Sequence, residues 1–378
     1  MTFKAAVLSI DGGGIKGIVP AIILKEIEYR TQKRIHELFD LIAGTSTGGI
    51  LALGLTVPIS DEDRRSRFTS AELVNFYKEE GKIIFQRRPE EKQSLLEEIK
   101  KMGLNVTLPK IAPNVTNPED LFSPKYTRIG KIDVIKKKFE DTIIQKALTE
   151  VLITSYCTNL RMPFLFTSNL QKEEEYKQEN FRIFCQGYTM QQAAMATSAA
   201  PTYFRPYVIR AIARRDPDYT LVDGGVIANN PTSLAIIEVI NSYKMRGENL
   251  NLNDILVVSL GTGVRSRKLE FQEINNWGQV KWVEPLINIT LSGQSEIVDY
   301  QMEQLLSAKN TPNKQYYRFQ PQFPDFQTTG TTQDTYTVND AMDDTTESNI
   351  SSLEKVTAEF IFRNNNSLNS LCNILKNH

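Results

Sequence analysis

Short unbroken apolar runs alternate along the chain with stretches whose apolar positions recur every three or four residues. Residues 5–10 (AAVLSI), 41–45 (LIAGT) and 255–260 (ILVVSL) are apolar almost throughout, the pattern of strands buried on both faces. VLITSY (151–156) and PFLFTSN (163–169) repeat it, and 181–187, 203–209, 219–222 and YYRFQ at 316–320 are strand-like. Ile18, Ile22, Ile23 and Ile27 mark one face of a helix over 18–33, with Pro20 harmless in its first turn. Further helices are predicted from 47 to about Thr56, around 190–199, from Pro231 to about Tyr243 and over 346–362. The Asn/Ser-rich tail beyond is expected to fray. A strand–helix–strand–helix rhythm of this kind predicts a parallel sheet covered by helices on both faces.

The pattern breaks at residues 60–128, which read as an insertion. It contains helical pieces at 69–78 and 91–102 and a Pro/Asn-rich loop at 109–124. Leu95, Leu96, Ile99 and Met102 fall on one face of the second piece, which ordinary packing explains better than a lid. A helical part follows over about 270–378, with a Thr-rich loop at 327–337, and 378 residues suit one extended α/β domain. Leu38–Val57 is long enough for a membrane span, yet it holds Asp40, four glycines and Thr45-Ser46-Thr47. A buried strand followed by a buried helix accounts for it better. No signal peptide is expected at the start.

Charge narrows the partners. Lys plus Arg total 44 and Asp plus Glu 45, so the net charge of −1 gives no basic surplus for nucleic acid. The 3 cysteines, Cys157, Cys185 and Cys372, have no metal or redox spacing and read as thiols in a reducing compartment, hence the cytoplasm. Only 2 histidines occur, His36 and His378, too few for a histidine-rich metal site.

Three segments carry chemistry. Gly44-Thr45-Ser46-Thr47-Gly48 is a G-x-S-x-G between an apolar strand and an apolar helix. A turn that sharp lifts the Ser46 hydroxyl above the sheet, and Gly44 and Gly48 avoid collisions between strand and helix. Asp11-Gly12-Gly13-Gly14-Ile15-Lys16-Gly17 follows the first strand and opens a helix. Its backbone N–H groups and the helix dipole suit either a phosphate or a developing oxyanion. Gly12, Gly14 and Gly17 satisfy G-x-G-x-x-G, so a nucleotide-binding module remains the alternative, although the second strand ends in Thr45-Ser46 and not in an acid. Asp223-Gly224-Gly225 directly follows the strand ending at Val222, which puts an acid at a strand's carboxyl end, where open α/β sheets bind ligands.

A serine nucleophile needs a base. His36 precedes the 41–45 strand while Ser46 follows it, a separation of about 16 Å for five extended residues. His378 is the last residue and is expected to be mobile. Asp223 is the best-placed base. Its ordinary pKa of ~3.9 is low for the task, and burial would raise it. The Thr47 N–H is a further candidate oxyanion donor.

These residues together resemble the patatin-like phospholipase family, whose pattern is a D-G-G-G-x-[KR]-G loop, a G-x-S-x-G elbow and a D-G-[GA] aspartate. All three stand here in that order, joined by Ala199-Ala200-Pro201-Thr202-Tyr203-Phe204 and Asn229-Asn230-Pro231. The likeness is close over about 4–265, and Met342-Asp343-Asp344 extends it loosely. It implies a three-layer α/β/α sandwich with a mostly parallel central sheet and hydrolysis of acyl esters in phospholipids or other lipids. Ser46 would be the nucleophile, Asp223 the base, and Gly12, Gly13 and Gly14 the oxyanion-hole backbone, with no metal and no organic cofactor. It implies peripheral membrane contact and, by likeness to some bacterial members, activation by a cyclic nucleotide. A homo-oligomer is left open. Lys16 reads equally as a phosphate-headgroup contact or a solvated lysine.

Overall fold

The computed structural model describes residues 3–87, 123–175, 182–184, 187–210, 218–265, 269–306, 314–323 and 338–378. The 91–102 helix, most of the 109–124 loop, Cys185 and the 327–337 loop lie outside them. The strands are β1 Ala5–Ile10, β2 Leu41–Thr45, β3 Glu150–Cys157, β4 Met162–Thr167, β5 Arg182–Phe184, β6 Tyr207–Ile209, β7 Tyr219–Asp223, β8 Ile255–Leu260, β9 Val264–Arg265, β10 Tyr316–Phe319 and β11 Gln322–Phe323. The helices are α1 Ile18–Thr31, α2 Thr47–Thr56, α3 Ser70–Ile84, α4 Ile129–Phe139, α5 Leu170–Glu175, α6 Met190–Thr197, α7 Gly225–Ala228, α8 Thr232–Met245, α9 Phe271–Ile274, α10 Gln279–Leu306, α11 Glu347–Arg363 and α12 Asn365–Lys376.

One sheet organises the molecule, in the order β10-β8-β1-β2-β3-β4-β5, with β7 paired to β3 and β6 to β7. The run from β10 through β3 is parallel. Beyond it the sheet is mixed, because β4 and β7 both run antiparallel to β3. The apolar runs reflect burial on two faces. Along β1, Ala5 and Val7 pack with Ala235, Val239 and Met302 of α8 and α10. Ala6, Leu8 and Ile10 pack on the other side with α1, α2 and the C-terminal helices. A strand whose alternate residues enter two separate apolar layers cannot show the polar alternation of a half-exposed strand.

The tail departs from expectation. It is a helix, α12, with Leu368, Leu371, Cys372 and Leu375 buried. These four positions recur every three or four residues and pin α12 against α1, which outweighs the weak helix propensity of the Asn and Ser between them.

The register around β3 matters most for function. Thr45, the last residue of β2, pairs with Thr154, and Asp223, the last residue of β7, pairs with Ser155 on the same strand. β2 therefore ends where β7 arrives from the opposite direction. The two strand ends meet head-on along β3, which brings the Asp223 loop to Ser46 by an antiparallel route and not by a shared carboxyl edge.

Candidate active site

Ser46 sits between β2 and α2 with φ 55° and ψ −120°, a conformation non-glycine residues rarely hold. Such backbone costs about 1–3 kcal/mol and persists only where its surroundings enforce it. A side chain at Gly44 would collide with the Gly48 carbonyl, and one at Gly48 with the Ile10 carbonyl, so both glycines of the elbow are sterically required. The Ser46 amide donates to Thr197 Oγ1 at 2.8 Å, which fixes the turn from the side of α6.

The Ser46 hydroxyl donates to Asp223 Oδ2 at 2.6 Å. The other oxygen, Oδ1, accepts the Gly225 amide at 2.8 Å. Asp223 is 5% exposed. Burial pushes its carboxyl up to about 6, against the opposing pull of the Ser46 hydroxyl, the Gly225 amide and the Lys131 charge. That moves it from a carboxylate too weak to take a hydroxyl proton toward a base suited to neutral pH.

The glycine loop closes the site from a third side. A Cβ on Gly12 would run into Asn229 Oδ1 and lie 3.3 Å from Ser46 Cβ, so a side chain there would have to displace Asn229 and crowd the serine. The Gly12 amide donates to the Asn229 carbonyl at 3.1 Å, and its carbonyl accepts from Thr262 Oγ1 at 2.9 Å. Gly14 has φ +61°, and a side chain there would strike the Met342 carbonyl, which accepts the Ile15 amide at 2.8 Å. The Gly13 and Gly14 amides find no acceptor among the described residues. At the root of the loop, Arg318 of β10 donates to both Asp11 oxygens, at 2.9 and 2.6 Å, and to Ser259 Oγ at 2.8 Å. Burial works against the Arg318 charge, and Asp11 more than offsets it, raising its pKa further. Lys16 is partly buried; burial lowers its pKa and Asp340 opposes the effect.

The histidines lie elsewhere. His36 occupies the short turn Ile35–Glu37, and His378 Nε2 is 2.9 Å from Asp40 Oδ2. Both line a polar cleft with Asp40, Thr149 and Glu150, at the amino ends of β2 and β3. The side-chain bond to Asp40 raises the pKa of His378.

Arg318, Thr197, Thr262 and Lys131 were not legible as site residues. Arg318 left one faint signal, a lone charge inside the apolar YYRFQ. Thr197 closes an ordinary helix and Thr262 lies in a short loop between two glycines, and Lys131 lies in a lysine-rich helix that reads as a solvated face.

A serine elbow, an acid and a glycine loop drawn together over a mixed sheet are the groups that hydrolysis of an acyl ester would call on. Residues 8–236 match the patatin-like phospholipase family, and the chain belongs to that family. It is 31% identical to Patatin-08 of Solanum tuberosum over 369 residues, covering 93% of this chain and 82% of that protein. Patatin-2-Kuras 3 from the same plant is 30% identical over the same spans. A structural comparison with VipD from Legionella pneumophila gives a TM-score of 0.33 at 12% identity, covering 95% of this chain and 67% of that one. That likeness is too slight to bear on the fold. Family membership makes the chain a lipid acyl hydrolase in the broad sense, acting on acyl-ester lipids.

Proposed function

We propose that this protein cleaves fatty acyl esters of phospholipids, as a phospholipase A, through a Ser46–Asp223 dyad and an acyl-enzyme intermediate. The observation that carries the proposal is the 2.6 Å hydrogen bond from Ser46 Oγ to Asp223 Oδ2 at a strained elbow facing the glycine loop. Asp223 takes the hydroxyl proton as Ser46 Oγ bonds to the ester carbonyl carbon. The carbonyl electron pair moves onto oxygen, and the Gly13, Gly14 and Thr47 amides receive it, each such donor contributing ~3 kcal/mol. Collapse expels the lysolipid alkoxide, which takes the proton back from Asp223. Water then repeats the sequence on the acyl ester and releases the fatty acid.

Within this scheme Gly12 shapes the loop, since its amide is committed to Asn229. Gly12, Gly13 and Gly14 are each hemmed in by Asn229, Thr262 or Met342, which favours an oxyanion pocket against Ser46 over a cradle for a dinucleotide. No helix among the described residues is long and apolar enough to cross a membrane. A bilayer substrate then calls for peripheral contact, and the buried thiols of Cys157 and Cys372 suit a cytoplasmic setting.

Release of fatty acid from mixed phospholipid vesicles by the wild type, Ser46→Ala and Asp223→Asn tests the dyad. Loss in both variants supports it, and activity surviving Asp223→Asn removes Asp223 as the base. The same assay with and without cyclic nucleotides tests activation: an unchanged rate removes the cyclic nucleotide from the scheme.

A further inference from the structure

Lys131 is a long cationic side chain only 2% exposed. It lies on α4, which packs against α6. Its ammonium donates to the Ser198 carbonyl at 2.5 Å and sits 4.1 Å from the centre of the Phe204 ring. Among the described residues no carboxylate comes within ion-pair distance of it. A buried ammonium without a paired anion is rare, because desolvation costs several kcal/mol. Something must keep it there.

The residues flanking its acceptor supply the reason. The Thr197 hydroxyl accepts the Ser46 amide at 2.8 Å, and the Thr197 carbonyl accepts the Gly224 amide at 3.3 Å. The Ala199 carbonyl accepts the Asp223 amide at 3.1 Å. Three consecutive residues thus hold the nucleophile's backbone, the acid's backbone and Lys131. The charged groups around the ammonium are Asp223, from β7, and Arg128, which caps the start of its own helix. The first favours the charged lysine and the second opposes it.

Resting on the proposed function above, we propose that Lys131 is a positioning residue for the Ser46–Asp223 pair. Its buried cation braces the 197–199 corner that carries both residues, and its charge favours the ionised form of Asp223. The electrostatics agree with this geometry. Burial lowers Lys131 to about 7 while Asp223 supports its charge, and Lys131 in turn pulls down a carboxyl that burial has pushed up to about 6. Near neutral pH each charge therefore favours the other.

The test is the pH profile of kcat/KM for ester hydrolysis by the wild type, Lys131→Met and Lys131→Arg. Loss of the cation should move the acidic limb upward by roughly one pH unit, as removal of a nearby opposite charge does. Lys131→Arg, which keeps the charge, should bring the limb back toward the wild-type position. A Lys131→Met enzyme that is slower at every pH but keeps its limb in place would show a packing role alone and overturn the proposal. Should Lys131→Met fail to fold, the coupling is read in reverse. NMR titration of the lysine side chain in Asp223→Asn should show the Lys131 midpoint lower than in the wild type, and an unmoved midpoint overturns the proposal. This second measurement needs no activity. The Ser46→Ala control separates the two ideas, since hydrolysis that survives it would sink the dyad and leave the titration result standing.

Discussion

Arg318 and Asp11 lie 307 residues apart in the chain and form a two-pronged ion pair, with guanidinium nitrogens 2.9 and 2.6 Å from the two carboxylate oxygens. The pair ties β10, supplied by the C-terminal third of the chain, to the first residue of the glycine loop. Both side chains are almost fully buried. Arg318→Met would leave the Asp11 carboxylate buried without its counter-charge, at a cost of about 3–5 kcal/mol. Urea denaturation should show that loss, and the double variant Asp11→Asn/Arg318→Met should recover a large part of it. No difference between the single and double variants would mean that the pair is not a coupled unit.

Activity should depend on pH through Asp223. Burial places its carboxyl at about 6, and only the ionised form can accept the Ser46 proton. The plot of kcat/KM should therefore fall as pH drops through about 6, with the plateau on the alkaline side. A limb near the ordinary aspartate value would show that Asp223 is solvated in the working enzyme.

The same burial makes Asp223 a liability for stability. Its pKa in the folded protein lies above the unfolded value, so stability is lost as pH rises from 3.8 through about 6. The displacement corresponds to about 3 kcal/mol at neutral pH. Asp223→Asn keeps the shape without the charge. At pH 7.5 it should abolish hydrolysis and raise Tm, and the Tm gain should shrink toward zero near pH 4. A variant that melts earlier than the wild type at pH 7.5 would contradict the burial cost.

The elbow and the loop should not tolerate a single added methyl group. Gly48→Ala places Cβ against the Ile10 carbonyl, and Gly14→Ala adds a collision with Met342 to an unfavourable φ of +61°. Each should lower hydrolysis at least 100-fold, since misplacement by about 1 Å at a reacting centre costs that much. A fluorophosphonate labelling rate for Ser46 reads the defect directly, and wild-type labelling in Gly14→Ala would mean that the loop does not hold the oxyanion.

The C-terminal helix should be structural. Leu371 is fully buried in α12, and Leu371→Ala should destabilise the protein by about 2–5 kcal/mol in denaturant. An effect below ~0.5 kcal/mol, the scale of a surface substitution, would mean that the helix is frayed in solution.

Much of this was written in local patterns. The almost wholly apolar runs at 5–10, 41–45 and 255–260 are those of strands covered on both sides, and the glycines around Ser46 fit a tight strand-to-helix turn. Backbone sterics and hydrophobic period act over a few residues, so the sequence alone determines these elements, the serine elbow, the glycine loop and the candidate acid. The direction of β7 was not local. A strand of five residues pairs either way, and only its register on β3 decided that Asp223 meets Ser46 end to end. Arg318, Thr197 and Lys131 likewise became part of the site through contacts between distant segments. No spacing along a chain encodes such contacts, because they depend on how the packed layers seat against one another. The tertiary structure also decided that the tail is a helix, since Leu368, Leu371 and Leu375 gain their stabilisation from burial against α1 and not from their neighbours in sequence.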